Sequence, residues 1–416
     1  MNKSTTFLTA LTLGAATACF ALAQPADAKV EGDTITLGAA LSFTGKYSTN
    51  GKHTKNGYDL AVKTVNEMGG VSVGGKKYKI KVKYYDDEST PARGVQLVER
   101  LVQQDGVKFM LGPYSSGMTK AMAPVTEKYG VPMVEGNGAS RSLFNKGYKY
   151  LFAVLSTSEQ YLAESINLAA ENATKLGKNP GDLKVALAME NDPFSQDIRA
   201  GVLDDAKRHG MTVVIDDKLP KELNDMTATL TKVKALRPDI LVVSGHSKGA
   251  ALAIRQSTEM KVDVPMLAMT HCEAAKVHEK FKANADYTLC ATQWAESMSY
   301  KDKWFGTAKQ YGDRFRKEYP DYGVIPYQAA ESTASVLVWV DALERAGTFD
   351  QAKVRDALSA TEMQTFYGNI KFAPTGQNIA KPMALRQIVE GKYKVVAPSK
   401  WAEQPVVFPR PDWSKR

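Results

Sequence analysis

The chain has 416 residues, of which 44% are hydrophobic and 24% charged, and its formal net charge is +9. This composition is typical of a globular protein, and the length is too great for one ordinary domain, so two are expected. The basic residues are scattered along the chain; Lys79, Lys81 and Lys83, for example, occupy the outer face of one predicted strand. The charge therefore favours a solvated surface over a nucleic-acid interface, with mild attraction for anionic ligands.

Residues 1–28 have the pattern of a signal peptide. Lys3 gives a short positive region, residues 7–23 are mainly apolar, and Ala26-Asp27-Ala28 is an A-x-A cleavage site. Cleavage is predicted after Ala28, so that the mature chain begins at Lys29. No other apolar run in the sequence reaches the length of a membrane span. The sequence therefore predicts an exported, soluble, periplasmic protein.

Two cysteines, Cys272 and Cys290, remain after this processing. An oxidising compartment permits a disulfide between them, but the sequence does not show whether their Cα atoms lie close enough. The disulfide and two free thiols are therefore both open interpretations. No paired Cys/His spacing is present, so neither a metal nor a cofactor is predicted.

From Asp33 onward, predicted strands and helices alternate in two series. The first series has strands at 34–41, 78–84, 107–111 and 131–135, with helices at 56–67, 91–102 and from Ser115 or Ser116 to about 129. The second has strands at 184–189, 211–215, 239–244 and 264–268, with helices at 159–175, 196–209, 226–236 and 250–260. Three helices, a hairpin at 383–396 and a surface tail from Pro398 complete the chain. Repeated βα units predict an α/β protein with parallel sheets, and two series predict two similar lobes.

The turns after the predicted strands are the places where a ligand is expected, because open α/β sheets bind ligands beyond the carboxyl ends of their strands. These turns contain mainly Ser, Thr, Gly and Asn with a few aromatic residues, and they contain few acids or bases. Such a composition indicates a recognition cleft rather than a catalytic one. The turns are residues 42–51, 112–118, 135–141, 191–195, 244–249 and 269–273.

The segment 107–129 predicts a strand, a turn broken by Gly112 and Pro113, and a helix that begins at Ser115 or Ser116. A helix start offers free backbone N–H groups and a positive dipole end, and here hydroxyl groups lie beside them. One interpretation is a binding site for a carboxylate. The other is that both serines are ordinary helix caps, and this segment alone does not decide between them.

One enzyme motif is present, because residues 245–249 read G-x-S-x-G between a predicted strand and a predicted helix. That context suits a hydrolase nucleophile at Ser247. The triad would need an acid and then a histidine later in the chain, and only His271 and His278 follow Ser247. Both come too early to complete such a fold, so a secreted serine hydrolase is the less favoured alternative, and the protein is predicted not to be an enzyme.

The mature chain resembles a known family from about residue 34 to residue 396. It is similar to the type I periplasmic solute-binding proteins of ABC transporters, in the branched-chain amino acid (Leu/Ile/Val) binding group. The motifs that carry the resemblance occur in the family's order and are Gly38-Ala39-Ala40-Leu41-Ser42-Phe43-Thr44-Gly45, Asn56-Gly57, Asn66-Glu67-Met68-Gly69-Gly70, Tyr85-Asp86-Asp87, Leu111-Gly112-Pro113-Tyr114-Ser115-Ser116, Tyr367-Gly368-Asn369-Ile370-Lys371-Phe372 and Gln387-Ile388-Val389.

The resemblance implies two Rossmann-like lobes joined by a hinge of three crossovers, with the ligand held between them. The expected segments are 29–154 and 293–362 for lobe I, and 155–292 and 363–416 for lobe II, the last including the C-terminal tail. It also implies that the protein captures a small carboxylate, a branched-chain or other apolar amino acid, and delivers it to a permease in the inner membrane. A monomer is expected. A sensor domain of the same fold and a binding protein for aromatic or aliphatic acids without an amine are alternatives.

The resemblance assigns candidate ligand-binding residues at the predicted turns. Ser116 and the Gly138-Ala139 turn would bind the ligand carboxylate, and Phe194 and His246 fall near positions where the family has aromatic residues. The family often has a Glu near position 270 for the ligand ammonium; here no acid aligns with it, and Glu273 would have to be displaced into that role. The same turns add Asn50, Tyr114, Ser115 and Thr270 as candidates.

Overall fold

The computed structural model describes Met1 and residues 30–415. Apart from Met1, the predicted signal peptide and its cleavage site at Ala28 lie outside the described residues. The described chain forms two large sheets covered by helices, as the alternating pattern predicted. Each sheet defines one lobe, lobe I for the first sheet and lobe II for the second.

Lobe I begins with the first third of the chain. Its elements are β1 (Val30–Glu31), β2 (Thr34–Leu41), α1 (Ser48–Glu67), β3 (Val71–Val73), β4 (Lys76–Asp86), α2 (Pro91–Gln103), β5 (Met110–Leu111), α3 (Ser116–Lys128), β6 (Met133–Glu135) and β7 (Leu151–Ala153). The strand order is β3-β4-β2-β5-β6-β7, with β1 beside β2. The strands β4, β2, β5, β6 and β7 run parallel, so their carboxyl ends meet at one edge of the sheet.

The chain then crosses to lobe II. The elements there are α4 (Ala163–Glu171), β8 (Lys184–Glu190), α5 (Pro193–Arg208), β9 (Thr212–Leu219), α6 (Thr227–Leu236), β10 (Ile240–Ser244), α7 (His246–Glu259), β11 (Met266–Met269), α8 (Val277–Phe281) and β12 (Leu289–Thr292). The strands β8 to β12 run parallel to one another in the second sheet. Lobe II therefore also presents its strand ends, and the turns that follow them, along one edge.

The last third of the chain contributes to both lobes. Its elements are β13 (Lys301–Asp302), β14 (Gly306–Thr307), α9 (Ala308–Glu318), α10 (Tyr327–Ala346), α11 (Gln351–Ser359), β15 (Glu362–Thr365), β16 (Gly368–Lys371), β17 (Ala384–Val389) and β18 (Lys392–Ala397). Helix α10 is buried along most of its length and packs on α1, β3 and β6 of lobe I. The hairpin β17–β18 completes the second sheet, whose order is β18-β17-β12-β11-β10-β8-β9. The chain thus passes between the lobes three times, while the segment boundaries given above stay a prediction.

Two helices begin earlier than their hydrophobic pattern predicted. Helix α1 starts at Ser48 rather than at residue 56, and α7 starts at His246 rather than at residue 250. The early turns are polar, yet Asn50 and His246 are buried, because these turns face the opposite lobe rather than solvent. An apolar periodicity therefore could not reveal them.

The predicted surface tail is partly wrong. Trp401 and Phe408 are both buried, and the indole of Trp401 packs at 5.6 Å, between ring centroids, from Tyr300. The tail covers lobe II instead of leaving it. Across residues 30–415, no helix combines the length and the apolar character that a membrane crossing requires.

A closed ligand cleft between the two lobes

The edges of the two sheets face each other across a small cavity. Turns after β5, β6, β8, β10 and β11 reach it, which is where an α/β fold is expected to bind a ligand. Helix α10 of lobe I and the crossover after β7 supply the rest of the wall. The lining residues are Tyr114, Ser116, Asn137, Tyr161, Phe194, His246, His271, Tyr327, Gln328 and Glu331.

Six of these ten side chains are rings. Phe194 stacks on His246 with ring centroids 5.4 Å apart and an angle of 30° between the planes. The ring of Tyr161 packs edge-on against that of Phe194, with 5.1 Å between the centroids. Lobe II thus contributes a cluster of aromatic rings, and Tyr114 and Tyr327 of lobe I add rings beside it. Such a wall suits an apolar or planar ligand.

A chain of hydrogen bonds joins the lobes through this wall. The hydroxyl of Tyr114 lies 2.8 Å from Nδ1 of His246 and 2.8 Å from Nε2 of His271. Nε2 of His246 in turn lies 2.6 Å from Oδ2 of Asp192, which also caps α5 by accepting from the backbone N–H of Ser195. Burial, and then the neighbouring His246, lower the pKa of His271 well below its ordinary value, so the His271 ring is neutral.

Both cavity histidines have left-handed backbone conformations, with φ of 53° at His246 and 62° at His271. Non-glycine residues adopt such angles at a cost, and they persist where the surrounding packing and hydrogen bonds hold them. Here these backbone conformations orient both rings toward the cavity. Nδ1 of His271 is buried and has no hydrogen-bond partner among the described residues.

Ser116 is the first residue of α3 and lines the cavity. Its Oγ accepts a hydrogen bond of 3.0 Å from the backbone N–H of Ser140, which leaves its own hydrogen available to an anion. The side chain of Ser115, the N-cap residue, makes no capping hydrogen bond, and its buried Oγ has no partner in the hydrogen-bond geometry of the described chain. The interpretation of both serines as ordinary helix caps is therefore not supported.

The Gly138-Ala139 turn does not line the cavity. The N–H groups of Asn137 and Gly138 donate to the buried carboxylate of Glu135 instead, and Thr119 donates to its other oxygen at 2.8 Å. Glu135 thus accepts the hydrogen bonds of the turn N–H groups that were expected to bind the ligand carboxylate. Thr270 is also set back from the cavity, in lobe II, with its Oγ1 3.5 Å from Oγ of Ser244.

Glu273 does not face the ligand cavity either. Its carboxylate is buried in lobe II and forms an ion pair with Arg386 of β17. Both side chains are almost wholly removed from solvent. The structure thus gives Glu273 a counter-charge in Arg386, and its role toward a ligand ammonium stays a prediction.

Asn50 lies at the rim of the cleft, where contacts cross between the lobes. Oγ of Ser247 donates to Oδ1 of Asn50 at 2.6 Å, and Lys46 of lobe I forms an ion pair with Glu190 of lobe II. Together with the Tyr114–His246 hydrogen bond, these contacts hold the two lobes against each other. The described conformation is therefore closed.

Within residues 30–415, Glu190, Asp192 and His246 form a group that could ligate a metal ion, since one ligand atom from each lies within 4.8 Å of the others. The group is already paired, because Lys46 neutralises Glu190 and Asp192 occupies Nε2 of His246. The arrangement is explained as part of the closed cleft without a cation.

Four predicted residues therefore line the cavity, namely Ser116, Tyr114, Phe194 and His246. The predictions missed Asn137, Tyr161, His271, Tyr327, Gln328 and Glu331. Asn137 and His271 belong to turns that the sequence had indicated. Gln328 and Glu331 are three residues apart in a helix whose surroundings are apolar, and that spacing was a signal of a polar patch on one face.

The fold and the cleft together define a two-lobed ligand-binding protein. The family model for periplasmic binding proteins matches residues 34–392, and this chain belongs to that family.

Individual relatives are distant but extend over nearly the full length. The Leu/Ile/Val-binding protein homolog 8 of Brucella abortus (strain 2308) is 24% identical over 379 residues, covering 88% of this chain and 90% of the relative. The branched-chain amino acid substrate-binding protein LivJ of Streptococcus pneumoniae, in complex with isoleucine, is 23% identical with a TM-score of 0.75, covering 88% of this chain and 100% of LivJ. A solute-binding protein of Rhodopseudomonas palustris HaA2, in complex with p-hydroxybenzoic acid, is 21% identical with a TM-score of 0.73, covering 92% and 99%.

Proposed function

We propose that this protein is the periplasmic substrate-binding component of an ABC transporter, and that it holds a small carboxylate between its lobes for delivery to a permease. The observation that carries the proposal is the cavity between the lobes, to which both lobes contribute and into which Ser116 and the start of α3 project. A carboxylate placed there would meet a hydroxyl donor and the positive end of a helix. Closure around a ligand by hinge motion is the corresponding mechanism.

The geometry favours an aromatic acid without an amine as the ligand. Six rings line the cavity, among them the stacked pair of Phe194 and His246. The acid expected to hold an ammonium, Glu273, is paired with Arg386 and does not line the cavity. An ammonium removed from water requires a negative or strongly polar partner, whereas a planar aromatic acid requires none beyond its carboxylate site.

An apolar amino acid is the second candidate, and Glu331 is the observation that favours it. Its carboxyl group lines the cavity, and no basic side chain forms an ion pair with it in the described part of the chain. A ligand ammonium could take that position. The similarity to proteins named for Leu/Ile/Val binding agrees with this candidate as well.

A thermal-shift screen of matched pairs separates the two candidates. Leucine is tested beside 4-methyl-2-oxopentanoate, and phenylalanine beside benzoate and phenylpyruvate. A ligand at a hundred times its dissociation constant adds about 2.7 kcal/mol of stability, which is readily detected. Stabilisation by the deaminated acids alone supports the aromatic or aliphatic acid. Stabilisation by the amino acids alone supports the second candidate. Glu331→Gln should then abolish the stabilisation that the amino acids produce.

The hydrolase alternative has a direct test at Ser247. In the structure its hydroxyl donates to the side-chain oxygen of Asn50, which is not a base, and α7 begins one residue before it. We expect Ser247→Ala to leave ester hydrolysis at the same background level as the unmodified protein. A hydrolytic rate that disappears in this variant would support the enzyme instead.

A further inference from the structure

Gln328 is a buried amide without any hydrogen bond. It is 1% exposed, it lines the ligand cavity, and neither its Nε2 nor its Oε1 has a partner among residues 30–415. Leaving a buried polar group unpaired costs about 1–3 kcal/mol, and most buried side-chain amides in folded proteins are paired. An orphaned amide that faces a cavity is therefore explained by a partner on the ligand.

Asn137 lies beside the same face of α10. Its Nδ2 donates to Oγ of Ser332 at 3.0 Å, and Ser332 donates in turn to the backbone carbonyl of Gln328 at 2.6 Å. The amide of Asn137 is thereby fixed in orientation. Its Oδ1 is left buried without a hydrogen-bond donor within the described chain.

Glu331, one turn beyond Gln328, is the third polar group at this face. Its Oε2 lies 3.3 Å from the hydroxyl of Tyr367, and that hydroxyl also lies 3.2 Å from Oε1 of Gln293. Burial, and then the nearby Glu135, raise the pKa of Glu331 well above its ordinary value, whereas the charge of Lys381 acts in the opposite direction. The hydroxyl of Tyr367 donates to Oε2 of Glu331, which leaves Oε1 of Glu331 as an acceptor.

The free atoms at this face are therefore mainly acceptors. Oδ1 of Asn137, Oε1 of Gln328 and Oε1 of Glu331 accept, while Nε2 of Gln328 alone donates. A carboxylate offers only acceptors and does not match this set, so the set complements a group that donates a hydrogen bond. The ligand carboxylate belongs instead at Ser116 and the start of α3.

We infer that Asn137, Gln328 and Glu331 form a subsite for a hydroxyl group of the ligand, so that the preferred ligand is a hydroxylated aromatic acid rather than the unsubstituted one. The inference rests on the proposed function and adds a second recognition point to it. A hydroxyl donates to one of the acceptors and accepts from Nε2 of Gln328, which pairs the orphaned amide. A neutral hydroxyl enters this subsite without the counter-charge that an ammonium requires.

The experiment is calorimetric titration of the mature protein with benzoate, 3-hydroxybenzoate, 4-hydroxybenzoate and leucine. We expect at least one hydroxybenzoate to bind about tenfold or more tightly than benzoate. In Gln328→Leu, which replaces the amide by an apolar side chain of similar size, that preference should fall to about twofold or less while benzoate binding is retained. Gln364→Leu is the matched control, since Gln364 is in β15 and does not line the cavity.

Three outcomes would overturn the inference. If the unmodified protein binds benzoate as tightly as both hydroxybenzoates, or if Gln328→Leu weakens all acids equally, the subsite does not read a hydroxyl, although the proposed function stands. If leucine alone binds and Glu331→Gln abolishes it, the donor is an ammonium. If none of the four compounds binds, the proposed ligand class fails and the subsite assignment fails with it. A thermal midpoint of Gln328→Leu at or above that of the unmodified protein shows that the variant is folded.

Discussion

The two walls of the cleft differ in how their buried polar groups are paired. On the lobe II wall, Glu273 pairs with Arg386, Cys272 is joined to Cys290 in a disulfide with 5.9 Å between the Cα atoms, and His246 is held between Asp192 and Tyr114. On the lobe I wall, Gln328 and Asn137 leave amide atoms without partners. On the lobe II side, Nδ1 of His271, Oε2 of Glu190, Oε2 of Glu273 and Nε of Arg386 are also without partners, although Glu273 and Arg386 have each other as counter-charges.

The comparison separates two uses of a buried polar residue. Glu273 and Glu331 are both buried glutamates near the cleft, but the first has a cation beside it and the second faces the cavity. A buried carboxylate with its own partner stabilises the fold. A buried polar group that lacks one, next to a cavity, indicates the ligand. The predictions below test this distinction.

The largest effect is expected from Arg386→Met. The substitution leaves the carboxylate of Glu273 buried without its counter-charge, which should lower the free energy of unfolding by about 3–5 kcal/mol. Urea denaturation measures this change in the free energy of unfolding. The double variant Arg386→Met with Glu273→Met removes both charges and should recover most of the loss. Glu331→Gln, on the other wall, should change stability by less than about 1 kcal/mol, and an Arg386→Met protein as stable as the unmodified one would contradict the comparison.

A pH effect is expected from Glu135, the carboxyl group behind the lobe I wall. Burial raises its pKa to about 7 from an ordinary value of 4.5, even though three groups donate hydrogen bonds to it. The native state therefore binds more protons than the unfolded state between these values, and stability should fall as the pH rises from about 4.5 to 7. At about 1.4 kcal/mol for each pKa unit, the contribution of this group is about 3 kcal/mol.

Glu135→Gln isolates that contribution, because glutamine keeps an acceptor for the N–H groups of Asn137 and Gly138 but does not titrate. Urea denaturation at several pH values should show the unmodified protein losing stability relative to the variant across the window from pH 4.5 to 7, with a constant difference above it. A difference that does not depend on pH would mean that Glu135 is not held protonated in the native protein.

The smallest effect is expected at the carboxylate site. Ser116→Ala removes a hydrogen bond to a charged ligand group and should weaken binding of the acid identified in the thermal-shift screen by about 1.5–3 kcal/mol, with little change in stability. Calorimetry measures the dissociation constant. Ser115→Ala is the matched control, because the neighbouring hydroxyl is buried but does not line the cavity. Equal dissociation constants for Ser116→Ala and the unmodified protein would remove Ser116 from the site.

The sequence allowed the lobes and four of the ten cavity residues to be predicted because the relevant information was local. Apolar runs of strand length, helices between them and turn residues after them placed Ser116, Phe194 and His246 at the carboxyl ends of strands. The motifs shared with the family indicated the order of the segments. These features depend on neighbours within a few residues along the chain, which is what periodicity reports.

The remaining features depend on residues far apart in sequence. Arg386 is 113 residues from Glu273, so the ion pair between them could not be foreseen. Gln328 and Glu331 belong to α10, which packs in lobe I but follows most strands of the second sheet in the sequence. In the sequence they are two polar residues within an apolar helix, and only the cavity beside them gives them a role. The early starts of α1 and α7 were missed because their buried residues are polar.

The second sheet also has a consequence for the timing of folding. Its strands β8 to β12 end at Thr292, but β17, which lies beside β12, begins only at Ala384 and brings Arg386 to Glu273. Until nearly the whole chain has been synthesised, β12 has an open edge and Glu273 has no cation. Contacts of such long sequence separation form slowly. Lobe II therefore stays incomplete until its last few dozen residues have been synthesised.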